Sequence, residues 1–333
     1  MSLETLACGN DSSGDRLQAL AALSNLGTST GLRIRTTQEQ TLAMRKPDLL
    51  CLDDFDGSMI EKLAIRAGEL QRSWHDRTMP QGLHGQRVGL IAELPGWRNP
   101  TALSLGIAKM GGTCVSVTAR LEGAETVEDL AFYMDNWFDL IAVRTPRLSQ
   151  LQSFAAALKA PAVNLRTNDN HPCEVLGDLA YVMSVRASLE GLRVAVVGPA
   201  GNIATSWFEA SRKMDIKIVQ VTPKAFQASA QERNFCEATD DLSAIEDADL
   251  IVTDCWPPDL DESGAEAFRG CQIDAHHLDR CKEGSLFVPC PPVTRGKEVS
   301  VAAMQHRNYA SSTAKNFLMH AQNAYLIEVL GDN

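Results

Sequence analysis

Gly198-Pro-Ala-Gly-Asn-Ile203 follows the strand-like run Leu192–Val197, and a glycine-rich turn leaving a strand is where a backbone approaches a phosphate closely. A dinucleotide site built on such a turn wants an Asp or Glu about 20 residues further on. The chain offers Gln220, Val221 and Lys224 there, so this reading survives only as an NADP-dependent oxidoreductase that uses Lys224. Asp254 closes the apolar run Leu250–Thr253. In open α/β sheets ligands bind beyond the carboxyl ends of strands, although an Asp at that place also serves as a loop cap. His171 precedes Pro172, a setting in which a helix start is the plain alternative to chemistry. The nine cysteines, at 8, 51, 114, 173, 236, 255, 271, 281 and 290, form no C-x-x-C pair, and no His/Cys cluster has zinc spacing. Their odd number suggests reduced thiols, and Cys290 reads first as packing. His276-His277 lacks a third ligand nearby, so the expectation is no metal and no cofactor.

The elements that must position these groups alternate along the chain. Strand-like runs occur at Arg87–Ala92, Thr113–Val117, Leu140–Val143 and Ala162–Asn164, separated by helical segments. A second series runs through Leu192–Val197, Ile216–Val221, Leu250–Thr253 and Leu286–Val288. Short strands alternating with helices imply parallel sheets covered on both faces. The expected fold class is therefore α/β, with two doubly wound parallel-sheet domains joined by long helices. Asp53-Asp54 reads as the N-cap of a helix reaching about Trp74. The connecting helix is expected over about Val175 to Leu189, and a closing helix over Ser311 to Leu330. Leu17, Leu20, Leu23 and Leu26 mark a short amphipathic stretch in an extension outside the main fold.

At 333 residues the chain has room for two domains of ordinary size. The division read from it is an extension over 1–46, a first domain over 47–180, a second over 181–310, and a terminal helix over 311–333 that packs back on the first. No window approaches the roughly 18 consecutive apolar residues of a membrane span. The first residues show no basic and then apolar leader, so a soluble, cytoplasmic protein is expected. A formal net charge of −11 without a Lys/Arg-rich run argues against nucleic acid as a partner.

Several segments carry a resemblance. Val88-Gly-Leu-Ile-Ala-Glu-Leu-Pro-Gly-Trp-Arg-Asn-Pro100, His171-Pro-Cys-Glu174 with Leu176-Gly-Asp-Leu179, Leu189–Gly198, Thr253-Asp-Cys-Trp-Pro257 and Val288–Val299 occur in this order from about Leu49 to Leu330. They resemble the ordered motifs of the aspartate and ornithine carbamoyltransferase family. That likeness implies attack of an amine on the carbonyl carbon of carbamoyl phosphate, with phosphate leaving. A phosphate dianion wants Arg side chains and helix N-terminal N–H groups, and the carbonyl oxygen that gathers charge wants positioned donors.

Carried over residue by residue, the resemblance makes Arg98, Arg144 and His171 the catalytic donors. Trp97, Asn99, Glu174, Asn202, Asp254 and Cys290 are then the substrate-binding candidates. Gly96-Trp97-Arg98-Asn99-Pro100 stands where the family has Ser-Thr-Arg-Thr-Arg, so only the central Arg98 is kept. Charged hydrogen bonds contribute about 1.5–3 kcal/mol each. Losing one Arg and two or three hydroxyls from an unchanged site costs roughly 5 kcal/mol on that scale, more than a thousandfold, so the loop has changed its ligand or lost it. Trp97 either floors a pocket for a flatter, larger donor or fills the space of the phosphate. Glu174 replaces the family's Gln, and Pro257-Pro-Asp259 replaces the Ser-Met-Gly loop of the ornithine branch.

The expected function is thus a transferase moving a carbamoyl or related acyl-type group from an activated donor to the amine of an amino-acid-like substrate, as in specialised amino-acid metabolism. The family's association implies a homotrimer. Two other readings stand beside it: a non-catalytic paralogue acting as a binding or regulatory subunit, and the NADP-dependent oxidoreductase.

Overall fold

The computed structural model describes residues 47–331; the amphipathic stretch at Leu17–Leu26 lies outside them. A short 3-10 turn at Leu52–Asp54 leads into α1 (Gly57–His75). The first lobe continues β1 (Arg87–Ala92), α2 (Arg98–Lys109), β2 (Thr113–Val117), α3 (Val127–Met134), β3 (Leu140–Arg144), α4 (Leu148–Ala157) and β4 (Ala162–Arg166). Helix α5 (Pro172–Arg186) crosses to the second lobe. There the order is β5 (Leu192–Val197), α6 (Asn202–Lys213), β6 (Ile216–Val221), β7 (Glu237–Thr239), β8 (Leu250–Thr253), α7 (Glu262–Arg269), α8 (Ala275–Asp279) and β9 (Leu286–Pro289). Two further helices, α9 (Ser311–Ala314) and α10 (Phe317–Leu330), end the described chain.

Both sheets are parallel, with strand orders β2-β1-β3-β4 and β7-β6-β5-β8-β9. In each, the order reverses beside the strand that opens the lobe: between β1 and β3 in one sheet, between β5 and β8 in the other. Loops leaving neighbouring strands diverge at such a point and open a crevice. Parallel strands need cover on both faces, and the burial follows. One apolar cluster runs through α1, α5 and α10 and the sheet faces they cover in both lobes, joining Leu63, Leu179, Trp207 and Tyr325. Smaller clusters cover the opposite faces, around Ile141 and Phe154 in the first lobe and Ile251 and Phe287 in the second.

Two local expectations are corrected, and one strand is added to those read from the sequence. Helix α1 is capped by Asp56, whose carboxylate accepts from Met59 N at 2.8 Å. Asp54 instead accepts from Leu50 N and Cys51 N in the preceding turn. The terminal helix is broken: Lys315 and Asn316 separate α9 from α10. The break sits where α5 comes so close that a Cβ at Gly177 would lie 3.0 Å from Leu318 N. Finally, β7 pairs with β6 at the sheet edge, a three-residue strand too short and polar to carry a periodic signal.

Candidate functional site

The segments at the two reversals carry Trp97, Arg98, Asn99, Arg144, Asn202 and Asp254, while His171 and Glu174 follow β4 and Cys290 follows β9. Behind β1 the chain runs Glu93-Leu-Pro-Gly-Trp97 into α2, and Trp97 occupies the helix cap without a side-chain hydrogen bond. Trp97 is 68% exposed, with the Arg98 guanidinium 5.3 Å from its ring centroid, within reach of a cation–π contact. Trp97 therefore does not plug a phosphate-sized hole. Together with Arg98, Trp74, His320, Glu174 and Lys315 it lines a cleft of about 880 Å³.

Arg144 ends β3 and is 6% exposed. Its guanidinium donates to Leu94 O at 3.3 Å and Pro95 O at 2.6 Å, so it holds the loop that presents Trp97 and Arg98. Burial, reinforced by Arg166 and opposed by Glu174, pulls its pKa down to about 10.

Asn99 turns inward from the first turn of α2 and is not among the residues that line the cleft. It is 4% exposed, accepts from Gln322 Nε2 at 2.9 Å and places Nδ2 3.4 Å from His171 Nε2.

His171 is the N-cap residue of α5, with Pro172 at the first helical position. Its backbone N–H donates to Ser206 Oγ at 2.9 Å. Burial lowers the ring pKa to about 4 against the opposing pull of Glu174, so it is neutral near pH 7. Glu174, three residues on, faces the ring with Oε2 at 3.9 Å from Nε2. Its Oε1 lies 2.9 Å from Lys315 Nζ and 3.9 Å from Cys290 Sγ. Burial alone would raise the Glu174 pKa, yet Lys315, His171 and Arg98 outweigh it and hold the carboxyl below its usual range. Burial, then Glu174, drives the Cys290 thiol well above its ordinary value, so it stays protonated and is no nucleophile.

The second lobe supplies Asn202, at the start of α6, and Asp254, just beyond β8. Asn202 Nδ2 donates to Thr167 O at 3.0 Å, tying the turn after β5 to the first lobe. Asp254 accepts from Cys255 N at 2.8 Å, and burial raises its pKa while Arg166 opposes. A Cβ on Gly201 would stand 3.4 Å from Asp254 Oδ2, so the Asn202 turn and Asp254 lie side by side. At the end of β6, Gln220 is buried and donates to Gly198 O at 3.1 Å while accepting from Ala228 N at 2.7 Å. Its amide is committed to the fold.

The sequence reading missed Lys315, Asp178, Arg166 and Gln322. Asp178 had a local signal, since it lies one turn after Glu174 on the same helix face. Lys315 and Gln322 had none, because their partners are 137 and 223 residues away.

Residues 47–184 match the family description "Aspartate/ornithine carbamoyltransferase, carbamoyl-P binding domain", and residues 190–329 match "Aspartate/ornithine carbamoyltransferase, Asp/Orn binding domain". The chain belongs to this family. Among curated carbamoyltransferases it is similar to the ornithine carbamoyltransferase of Acinetobacter baylyi, 29% identical over 85% of this chain and 97% of that one. The Anoxybacillus flavithermus enzyme of the same name is 28% identical over 87% of this chain and 98% of its own. Of solved structures, Burkholderia thailandensis ornithine carbamoyltransferase superposes with a TM-score of 0.79 at 28% identity, covering 85% of this chain and 98% of that one. Pyrococcus furiosus ornithine carbamoyltransferase shares the fold at a TM-score of 0.81, 24% identity and coverage of 86% and 98%. The two parallel-sheet lobes are thus the carbamoyltransferase fold. Among the described residues, no helix is long and apolar enough to cross a membrane.

Proposed function

We propose that this protein is a transferase that moves a carbamoyl or related acyl-type group from an activated donor to the amine of an amino-acid-like substrate. One observation supports the reading: charged and donor groups of the two lobes lie close enough to act on one another, beside a cleft lined by Trp97, Arg98, Glu174 and Lys315. Arg144, His171 and Glu174 of the first lobe act electrostatically on one another, and Glu174 and Arg166 act on Asp254 of the second. In this reading Arg98, Arg144 and His171 stabilise the oxygen that gathers charge as the amine attacks. Glu174 positions or deprotonates, and Asn202 with Asp254 holds the amine substrate. Ornithine, the acceptor named for the relatives, is one member of the acceptor class to be tried.

A homotrimer belongs to the same proposal. It is supported by an apolar surface beside the edge strand β2, where Trp137 is 62% and Tyr133 53% exposed. A cytoplasmic location belongs to it as well.

The test is a thermal-shift screen of carbamoyl phosphate, phosphate, amino acids, diamines and NADP, because a ligand at 100 times its dissociation constant stabilises by about 2.7 kcal/mol. It is followed by turnover assays of the wild type and Arg98→Ala. Stabilisation by carbamoyl phosphate, with turnover lost in a folded Arg98→Ala, is the expected result. Stabilisation by an amino acid alone moves the donor to another activated acyl compound. Silence across the panel favours the non-catalytic paralogue.

A further inference from the structure

A buried triad reaches the cleft through two of its members. Glu174 and Asp178 sit one turn apart on α5, 6% and 2% exposed. Both point at the ammonium of Lys315, which enters from the break between α9 and α10 with a side chain only 12% exposed. Nζ lies 2.9 Å from Glu174 Oε1, and 2.7 and 2.8 Å from the two oxygens of Asp178. One cation thus serves two carboxylates, but the two are not equivalent. Glu174 and Lys315 line the cleft and Asp178 does not. Lys315 engages Asp178 through both oxygens, whereas it takes only Oε1 of Glu174, leaving Oε2 to face the His171 ring at 3.9 Å.

We propose that Lys315 is a positioning residue whose ammonium, seated between Glu174 and Asp178, fixes Glu174 as a carboxylate with one oxygen turned toward His171, so that Glu174 orients substrate and does not act as the base. The proposal rests on the transferase reading only for the word substrate; the fixing of Glu174 stands on the triad itself. A general base must give up its anionic form during the reaction, and an ammonium at ion-pair distance in a water-poor site opposes that.

The surroundings agree. Glu174 is faced by Lys315 from the α9–α10 break, His171 from its own helix cap, Arg98 from the cleft rim, Arg144 from β3, and Cys290 from the end of β9. Asp178 and Asp254 are the other carboxylates in the field of the site. Asp178, although Lys315 engages both its oxygens, is raised to about 6, chiefly by burial, with Glu174 acting in the same direction. When Asp178 takes up a proton, Lys315 is left to Glu174 alone and holds it more firmly.

The experiment is a carboxyl ¹³C NMR titration of the full chain from pH 4 to 9, with Glu174→Gln and Asp178→Asn identifying the two signals. In the wild type and Lys315→Arg, the Glu174 signal is expected to titrate below the usual glutamate range, and Asp178 above the usual aspartate range, near 6. In Lys315→Met, the Glu174 midpoint is expected to rise by at least one pH unit, a tenfold change in proton affinity. A merely structural lysine would not transfer its loss to the Glu174 midpoint and have it rescued by Arg. If Lys315→Met does not fold, the wild type still decides: a Glu174 midpoint at or above that of Asp178 overturns the proposal. An unmoved Glu174 midpoint in a folded Lys315→Met overturns it as well. If the titrations come out as expected but no donor and amine turn over, the transferase reading falls and the role of Lys315 stands.

Discussion

Gly96 and Arg144 lie so close that a Cβ added to Gly96 would stand 2.6 Å from Arg144 Nη2, and Gly96 adopts a φ of +130° that L side chains avoid. The guanidinium cannot retreat cheaply, because it is buried and donates to Leu94 O and Pro95 O. Gly96→Ala is therefore expected to destabilise the protein by about 1–3 kcal/mol and to displace Trp97 and Arg98. Urea denaturation against Gly85→Ala measures this. Gly85 also has positive φ, but nothing lies within 4 Å of its added Cβ, so the difference between the two isolates the Arg144 contact.

His320 is 1% exposed and packs its ring 6.3 Å from Trp74 and from Phe317. Burial lowers its pKa from 6.5 to about 4. The folded state then binds fewer protons than the unfolded state between those values, so stability is full above about pH 6.5 and is lost as pH falls toward 4. The loss assigned to His320 between pH 7 and 5 is about 2 kcal/mol. His171 adds a loss of the same sign, while Asp178, whose pKa is raised, opposes it. Urea midpoints of His320→Phe at pH 7 and pH 5 should differ less than those of the wild type; equal differences would remove His320 from the account.

The Gln322 amide donates to Asn99 Oδ1, and Asn99 Nδ2 faces His171 Nε2. Gln322→Leu leaves the buried Asn99 carbonyl without that donor, an expected cost of about 1–3 kcal/mol in the denaturation midpoint. The amide of Asn99 is then free to turn. Loss of turnover beyond the loss of stability, read as a lower kcat at saturating substrate, is the outcome if this chain sets the His171 ring.

Glu209 joins the lobes from α6, accepting from Leu52 N at 3.0 Å, Asn170 Nδ2 at 2.9 Å and Ser206 Oγ at 3.3 Å. Glu209→Leu deprives three buried donors at once, and a loss of about 3 kcal/mol or more is expected. Its neighbour Arg212 pairs with Asp53 at 2.5 Å on a partly exposed surface, so Arg212→Ala should cost only about 1 kcal/mol or less, and less still in high salt. Guanidinium and urea curves compared for both variants separate the two contributions.

Much of the architecture was legible locally. Apolar, β-branched runs such as Arg87–Ala92 and Ile216–Val221 fell on strands with the same bounds, because a buried parallel strand needs side chains that pack on both faces whatever its neighbours are. The order of motifs from Leu49 to Leu330 determined the family, and the rewritten segment Gly96–Pro100 was visible as a departure from it.

What the tertiary structure decided concerns residues brought together from far along the chain. Asn99 and Trp97 are two positions apart, yet one is buried against Gln322 and the other is exposed at a cleft, a choice made by how α2 meets α10. Glu174 in the sequence is a carboxylate of unknown protonation. Only the approach of α5 to Leu318 at Gly177, and the break that admits Lys315, show what holds its charge. Periodicity reports which side of an element faces apolar surroundings. It carries no information about which ion from 137 residues away will be seated there, because that depends on the path of the whole chain.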